Sequence, residues 1–301
     1  MFFNSTVNNM IRFVLTLILI STFTISFAQQ KKEEKKDGWE NQGKFTLLFN
    51  QSAFSNWVAG GDNTLAGNVN FNHTFNYKKD KFIWNNRVIA SYGLTKSKNT
   101  DFPKKTNDGI NCNSMFGYDA ENYWFYSLLI NFKTQFTKGY KYKKDANGKE
   151  YRESYTNFMS PGYLLIGPGM LWEKNKNLKL NLAPATSKFV FVDEKYTKPN
   201  RGYFGVEEGE NLRYEIGFSA SFYHKFKLMT NVTMENILAF YSNYIDKPQN
   251  IDMNYTVNID MNINKHLSAD FIFQSIYDDN AYSGFQIREV FGIGLNYNFK
   301  Y

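Results

Sequence analysis

Three histidines and one cysteine are the residues of this 301-residue chain best suited to acid–base, nucleophilic or metal chemistry. A lipid hydrolase would need a serine activated by a nearby histidine. His73, His224 and His266 all lie beside predicted short turns, and no Gly-x-Ser-x-Gly nucleophile elbow occurs. A hydrolase is therefore a minor alternative, and the sequence predicts no catalytic residue.

Metal ligands are equally sparse. Cys112 and the scattered histidines have no zinc-ligand spacing. Oxygen ligands for Ca²⁺ occur at Asp278-Asp279-Asn280, and at Asp193-Glu194 together with the acidic residues of 207–210. Neither segment matches a twelve-residue calcium loop, so solvated loop charge is the simpler interpretation. We expect no metal and no cofactor.

A third set of ionisable residues lies at every second position of long alternating segments, which places it on one face of the predicted strands. If that face is the interior of a closed barrel, each charge must be paired or contact water. The candidate lumen-lining residues are Arg87, Lys133, Arg213, Glu215, Glu235, Asp252, Asp260, Asp270 and Arg288. With Lys179 included, positive and negative members balance at five each, which argues against a strongly ion-selective pore.

The elements that position these residues are long β-strands. From Ile251 to Asn264, apolar and polar residues alternate without exception, and similar alternation covers 65–77 and most of 285–301. Period-two alternation puts an apolar row and a polar row on opposite faces of a strand. These segments are longer than the five or six residues typical of strands in soluble proteins.

The same pattern predicts twelve strands separated alternately by short turns and longer loops, as in bacterial outer-membrane barrels. The expected strands are 44–52, 64–77, 81–95, 109–120, 123–137, 159–173, 177–192, 211–225, 228–243, 251–264, 266–277 and 285–300. A soluble β-sandwich produces the same alternation. Strand length, alternating loop length and the N-terminal export signal favour an all-β, transmembrane, antiparallel up-and-down barrel of about twelve strands, or fourteen if a long loop contains a hairpin.

Aromatic residues near the short turns are typical of a membrane interface, where amphipathic rings are enriched. A periplasmic aromatic girdle is predicted from Trp84, Trp124, Trp172, Tyr297, Phe299 and Tyr301. The mean hydropathy of −0.50 does not oppose a membrane location, because lipid-facing and lumen-facing residues alternate in barrels.

The N-terminus predicts export. Arg12 precedes an apolar segment and then Ser26-Phe27-Ala28, which suits cleavage after Ala28. We therefore expect a signal peptide at 1–28, a charged periplasmic tail at 29–43 and a barrel domain at 44–301. The net charge of +7 is spread over turns and loops without a recognition-helix pattern, so nucleic acid is not an expected partner.

Several segments resemble a family of Bacteroidota outer-membrane proteins of unknown function. The most specific is a turn motif that includes Ser55, Asn56, Trp57, Gly60 and Gly61; softer similarities occur at 129–136, 160–163 and 248–252. The resemblance spans nearly all of the mature chain. It implies an outer-membrane barrel without an assigned reaction, and it carries over no catalytic residues.

These observations predict a narrow, weakly selective channel or uptake pore for small neutral or zwitterionic solutes in the outer membrane. The alternative is a closed barrel that serves as a structural or accessory subunit of an envelope complex. Expected partners are outer-membrane lipid, the outer-membrane assembly machinery during biogenesis and, in the alternative, an envelope protein. The basic and aromatic loop 138–158 has no assigned role; its tyrosines are expected to pack on the barrel mouth.

Overall fold

A computed structural model describes residues 37–55, 62–197 and 203–301. The predicted signal peptide, residues 29–36 of the predicted tail, and Asn56, Trp57, Gly60 and Gly61 of the turn motif lie outside the described residues.

Twelve antiparallel strands form a closed barrel, and two further strands form a separate hairpin. The strands are β1 (Gly38–Ser52), β2 (Thr64–Lys79), β3 (Phe82–Ser97), β4 (Lys104–Asp119), β5 (Trp124–Thr134), β6 (Gly139–Lys144), β7 (Glu150–Thr156), β8 (Gly162–Asn175), β9 (Leu178–Phe191), β10 (Leu212–Met229), β11 (Val232–Asn243), β12 (Ile251–Asn262), β13 (Leu267–Asp278) and β14 (Tyr282–Lys300). Each barrel strand pairs with its neighbours along the chain, with β5 joined to β8 across the β6–β7 hairpin, and β1 closes the barrel against β14. The predicted antiparallel up-and-down barrel of about twelve strands is confirmed.

The alternating sequence pattern becomes an inner and an outer face of the barrel. Asp260 of β12 is paired in register with Asp270 of β13 on the inner face, and Met261 is paired with Ala269 on the outer face. Many outward apolar side chains are open to the surroundings: Phe45 is 40%, Phe291 56% and Ile293 52% exposed. A soluble protein buries such a row in a core, so the outer wall needs an apolar environment.

Two strand boundaries differ from the expected ones. β1 begins at Gly38 rather than at residue 44, because Gly38 to Gly43 continue the ladder with β2 and Asn41 exchanges two backbone hydrogen bonds with Tyr301. The expected end of strand 211–225, with a short turn before the strand expected from residue 228, was wrong. Lys225 pairs in register with Glu235, and β10 continues through a register shift to Met229.

The long loops also differ from expectation. The loop expected at 96–108 is mostly strand, since β3 extends to Ser97 and β4 begins at Lys104. The segment 138–158 contains the β6–β7 hairpin, so the described residues form fourteen strands, of which twelve form the barrel wall. A three-residue 3₁₀ turn at Glu194–Tyr196 follows β9.

Over the described ranges, no helix is both long enough and apolar enough to cross a bilayer.

Part of the interior is apolar, which the sequence pattern did not predict. Ile83, Met115, Leu129 and Leu171 of β3, β4, β5 and β8 form a buried cluster inside the wall, with Phe125 packed against it. A second cluster joins Val190 to Tyr196 and Val206 of the β9–β10 loop, near Tyr163. Apolar side chains therefore fill part of one side of the lumen.

Candidate functional site

A cavity of about 750 Å³ lies inside the barrel, at the end of the short turns and the chain termini. We call it the vestibule. Its rim includes Glu40, Asn177, Lys225 and Lys300, and its deeper wall includes Arg87. Asparagine side chains dominate the rest of the lining, so the surface offers many amide donors and acceptors. The volume lies in the range of small-molecule sites.

A charged strut crosses the lumen at the inner end of the vestibule. Arg87 on β3 and Glu235 on β11 come from opposite walls, six strands apart in the ring of twelve. The Arg87 Nη2 to Glu235 Oε2 distance is 3.0 Å. Glu235 also accepts hydrogen bonds from Tyr223 Oη at 2.8 Å and Asn258 Nδ2 at 2.8 Å, and the Arg87 guanidinium lies 5.6 Å from the Tyr223 ring centre. The carboxylate is thus held by three donors, which restrains the strut across the passage.

Other inward carboxylates beside the vestibule are also paired. Lys44 Nζ lies 2.8 Å from Asp260 and 3.8 Å from Asp270. Across the lumen, Glu173 accepts a hydrogen bond from Asn85 and lies 3.4 Å from Lys179 Nζ.

A second group of charges lies toward the long-loop end. Lys188 Nζ is 3.3 Å from Glu215 and 3.0 Å from Asp252, which joins β9 to β10 and β12. Arg213 bridges Glu215 at 2.8 Å and Asp246 of the β11–β12 loop at 2.8 Å. These contacts tie an outer loop to the lumen wall and narrow that mouth.

Three inward cations have no ion pair within 4.0 Å among the described residues: Lys133, Lys225 and Arg288. Lys133 and Arg288 project from opposite walls of the lumen toward one another, and the carboxylate of Asp278 also lies near Lys133. Arg288 Nη1 is buried without a hydrogen-bond acceptor in the described part of the chain. Lys225 lines the rim of the vestibule.

All nine predicted lumen-lining residues lie on inward positions of their strands, and the structure divides them into groups. Four of them adjoin the vestibule: Arg87, Glu235, Asp260 and Asp270. Three belong to the charged group at the long-loop end: Arg213, Glu215 and Asp252. The remaining two, Lys133 and Arg288, belong to neither group of ion pairs. Sequence reasoning missed Lys44, Lys188 and Tyr223, although each has inward parity in an alternating segment. Lys225 was missed because it was the last residue of an expected strand, where a turn over 225–227 was expected to begin.

An acidic group at the long-loop mouth is the only candidate metal cluster found in the described residues. Carboxylate oxygens of Asp252, Asp278 and Asp279 lie within 4.8 Å of one another. Lys188 and Asn250 already donate to this group, at 3.0 Å to Asp252 and 2.6 Å to Asp279. These donors satisfy part of the charge that a Ca²⁺ ion would neutralise.

The β6–β7 hairpin packs against the β3–β4 loop. The Arg152 guanidinium lies 4.8 Å from the Phe102 ring centre and 4.3 Å from that of Tyr140. Lys104 lies 3.1 Å from Glu150. The basic and aromatic residues of this segment thus make contacts with each other and with the neighbouring loop.

The predicted girdle residues lie at the short-turn end, on outward positions. Trp84 stacks on Phe116 with ring centres 5.1 Å apart, and Trp124 is the register partner of Trp172. Tyr297, Phe299 and Tyr301 form a row of rings 6.2 and 6.3 Å apart.

The histidines lie among aromatic or turn residues. The His73 ring is 5.5 Å from that of Phe299, and the His224 ring is 4.7 Å from that of Phe226. The backbone NH of His266 donates to Asn264.

Of the turn motif, Ser55 is described and is exposed. A hydrogen bond from Phe54 N to Asn63 Oδ1 joins the two sides of the part that is not described.

Comparison with known proteins gives one sequence family. A family model described as "Protein of unknown function (DUF3078)" matches residues 49–140, less than half of the chain, and this agrees with the expected resemblance to a family of unknown function. No curated protein sequence matches the chain.

Solved structures similar to this chain are barrels. The translocator domain of the autotransporter NalP from Neisseria meningitidis has 9% identity and a TM-score of 0.39, and the match covers 89% of this chain and 90% of that one. An outer membrane channel from Pseudomonas putida F1 has 10% identity and a TM-score of 0.40, covering 92% and 100%. The toluene transporter TodX from Pseudomonas putida has 6% identity and a TM-score of 0.32, covering 81% and 76%.

Proposed function

We propose that this chain is an integral outer-membrane barrel that acts as a narrow channel for small polar solutes. The observation that carries the proposal is a vestibule of about 750 Å³, lined mainly by polar and charged residues, that leads inside a closed barrel to a charged constriction at Arg87 and Glu235. A packed barrel needs neither a solute-sized cavity nor such a constriction.

The outer-membrane location rests on the outer wall. Exposed apolar rows on β1 and β14, together with an aromatic row at the short-turn end, match what a bilayer requires of a transmembrane barrel. In this arrangement the short turns and the vestibule face the periplasm, and outer-membrane lipid and the barrel assembly machinery are the partners. We further propose export by a signal peptide cleaved after Ala28, and membership of a Bacteroidota family that shares the Ser55–Gly61 motif.

Single-channel recording of the refolded mature protein in planar bilayers tests the function. We expect small conductance steps from the wild type and larger steps from Arg87→Ala/Glu235→Ala, because removal of both side chains widens the constriction. The control is Lys143→Ala/Glu153→Ala, which removes a 2.7 Å ion pair from the hairpin, outside the lumen. It should conduct as the wild type does.

The channel proposal fails if wild type and strut variant are both silent although the protein is folded. The second candidate, a closed barrel that serves as an accessory subunit of an envelope complex, would then take its place. The specific observation in its favour is the closure of the lumen by the strut and by Tyr196 and Val206 of the β9–β10 loop. Gentle extraction from cells should in that case yield a stable complex, and a monomer alone would count against it.

A further inference from the structure

We infer that the lumen selects small anions of the carboxylate or phosphate class, with a first binding level in the vestibule and a second at Lys133 and Arg288. This inference deepens the channel proposal and rests on it in taking the bound anion to be a permeating solute. It also replaces the sequence-based expectation of a neutral or zwitterionic solute.

The first argument is the pairing of the inward charges. Counted from the sequence, positive and negative candidates balance, but the structure shows which charges neutralise one another. Glu173, Glu215 and Glu235 each lie within 3.4 Å of a lysine or arginine nitrogen. Asp252, Asp260 and Asp270 each have a lysine within 3.8 Å.

Among the described inward residues, the cations Lys133, Lys225 and Arg288 and the carboxylate of Asp278 remain without an oppositely charged partner within 4.0 Å. Asp278 accepts hydrogen bonds from the backbone NH groups of Asn280 and Ala281. An unpaired buried cation is costly, and a permeating anion would relieve that cost. Because Lys44 and Lys188 are each shared by two carboxylates, the passage as a whole carries no surplus charge. The unpaired positive charge is local, at Lys225 and at Lys133 with Arg288, and it favours anions there.

The second argument is the composition of the vestibule. Six of its lining residues are basic: Lys44, Arg87, Lys176, Lys179, Lys225 and Lys300. Only three are acidic: Glu40, Glu235 and Asp260. Asparagine amides around them supply neutral NH donors, which suit carboxylate and phosphate oxygens. A confined site with surplus positive charge concentrates anions from solution.

The third argument is the arrangement of the unpaired cations along the barrel. Lys225 lies in the vestibule, and Lys133 and Arg288 lie beyond the strut, on strands β5 and β14. Arg288 has a buried Nη1 with no acceptor in the described residues. Donors on both sides of the strut give an anion two successive places to bind, as weak multi-site conduction requires.

Equilibrium binding tests the inference without any conductance. The folded full-length mature chain in a neutral detergent is titrated by calorimetry at low ionic strength with citrate, with inorganic pyrophosphate and with the neutral sugar xylose. We expect citrate or pyrophosphate to bind and xylose to give no heat; the two anion titrations distinguish a carboxylate from a phosphate ligand. Lys225→Gln and Arg288→Gln should each weaken anion binding roughly 3- to 10-fold, since each removes one unpaired cation.

The matched control is Lys79→Gln/Lys174→Gln. Both lysines are exposed at the same end of the barrel but occupy outward positions of β2 and β8 and do not line the vestibule. The control should bind as the wild type does. The inference is overturned if neither anion binds at millimolar concentration, if xylose binds as well, or if the control weakens binding equally. Anion binding by a protein that does not conduct would refute the channel proposal and leave the anion site standing.

Discussion

At the scale of single residues, the environment of a charge inside the barrel decides its role. Arg87 and Arg288 have the same side chain and the same inward parity. Arg87 meets a carboxylate at 3.0 Å, whereas Arg288 has a buried nitrogen without an acceptor among the described residues. The Arg87–Glu235 contact stabilises the constriction. The Arg288 guanidinium, which has no such contact, leaves positive charge available to a solute.

The two arginines should therefore respond oppositely to the same substitution. Arg87→Met leaves Glu235 without its charged partner and should lower the free energy of unfolding by about 1.5–3 kcal/mol. Arg288→Met removes an uncompensated charge and should leave that free energy unchanged or raise it by up to ~1 kcal/mol. Urea unfolding of both variants in the same lipid vesicles measures the difference. Equal destabilisation would contradict the assigned pairing.

At the scale of elements, the β8–β9 ladder depends on small residues facing inward. A register shift occurs between Ile166 and Met170, and Gly169 lies within it. A Cβ at Gly169 would lie 2.2 Å from the backbone oxygen of Leu182, closer than packed atoms approach, whereas a Cβ at Gly67 of β2 would meet nothing within 4 Å.

Gly169→Ala should therefore shift the ladder and lower the free energy of unfolding by about 1–3 kcal/mol, the usual cost of overpacking. Gly67→Ala is the matched control within a strand, and it should change that free energy by less than about 0.5 kcal/mol. The folded fraction of each variant is measured at increasing urea concentration from the difference in gel mobility between the folded and the heat-unfolded barrel. A tolerated Gly169→Ala would mean that the close approach relaxes without cost.

The docking of the β6–β7 hairpin should depend on pH through Glu150. Desolvation alone would raise the pKa of this carboxyl, but hydrogen bonds from Lys104 and from the backbone NH groups of Asp101 and Phe102 outweigh it and lower the pKa. A carboxyl with a lowered pKa in the folded state contributes stability above its unfolded-state pKa, and this contribution is lost as pH falls through the lowered value.

The backbone NH of Asp101 donates to Glu150 Oε2 at 3.0 Å, so its proton chemical shift reports this titration directly. Its midpoint should lie below about 4.3, the ordinary value for glutamate. Glu150→Gln should abolish the shift change. A midpoint at or above the ordinary value would show that the hairpin is not held by this carboxylate.

At the scale of the whole molecule, the outer wall distinguishes a membrane barrel from a soluble one. Phe291 lies at the middle of β14, points outward and is 56% exposed. In water, a polar substitution at an exposed position changes stability little. In a bilayer, the same position lies in hydrocarbon.

Phe291→Arg should lower the free energy of unfolding in lipid vesicles by about 2–4 kcal/mol if β14 spans the membrane. Tyr282→Arg, at the start of the same strand and 59% exposed, should cost about 0–1 kcal/mol because it lies near an interface. Equal, small effects at both positions would contradict the membrane location.

The sequence by itself determined the strands and the faces they present. A period of two over segments such as 251–262 specifies both the strand and its inner and outer rows, because successive side chains of a strand point in opposite directions. That is why the number of barrel strands and the inward parity of Arg87, Glu235 and Asp252 could be read before any coordinates. The pattern weakens at Gly38 to Gly43, which lack alternation. At Lys225 to Met229 alternation continues as far as Leu228, but the two lysines resemble a turn, and at both places the predicted boundaries differed.

Only the tertiary structure decided which inward residues meet. Barrel closure and stagger place β3 opposite β11, so Arg87 meets a residue 148 positions away, while Lys133 and Arg288 have no ion pair within 4.0 Å in the described chain. Alternation also does not reveal that Ile83, Met115, Leu129 and Leu171 lie on the inner face of adjoining strands and fill part of one side of the lumen. The sequence pattern is local and reports only the side of the wall on which a residue lies. The net charge and free width of the passage arise from contacts across the barrel, which depend on how the whole sheet closes.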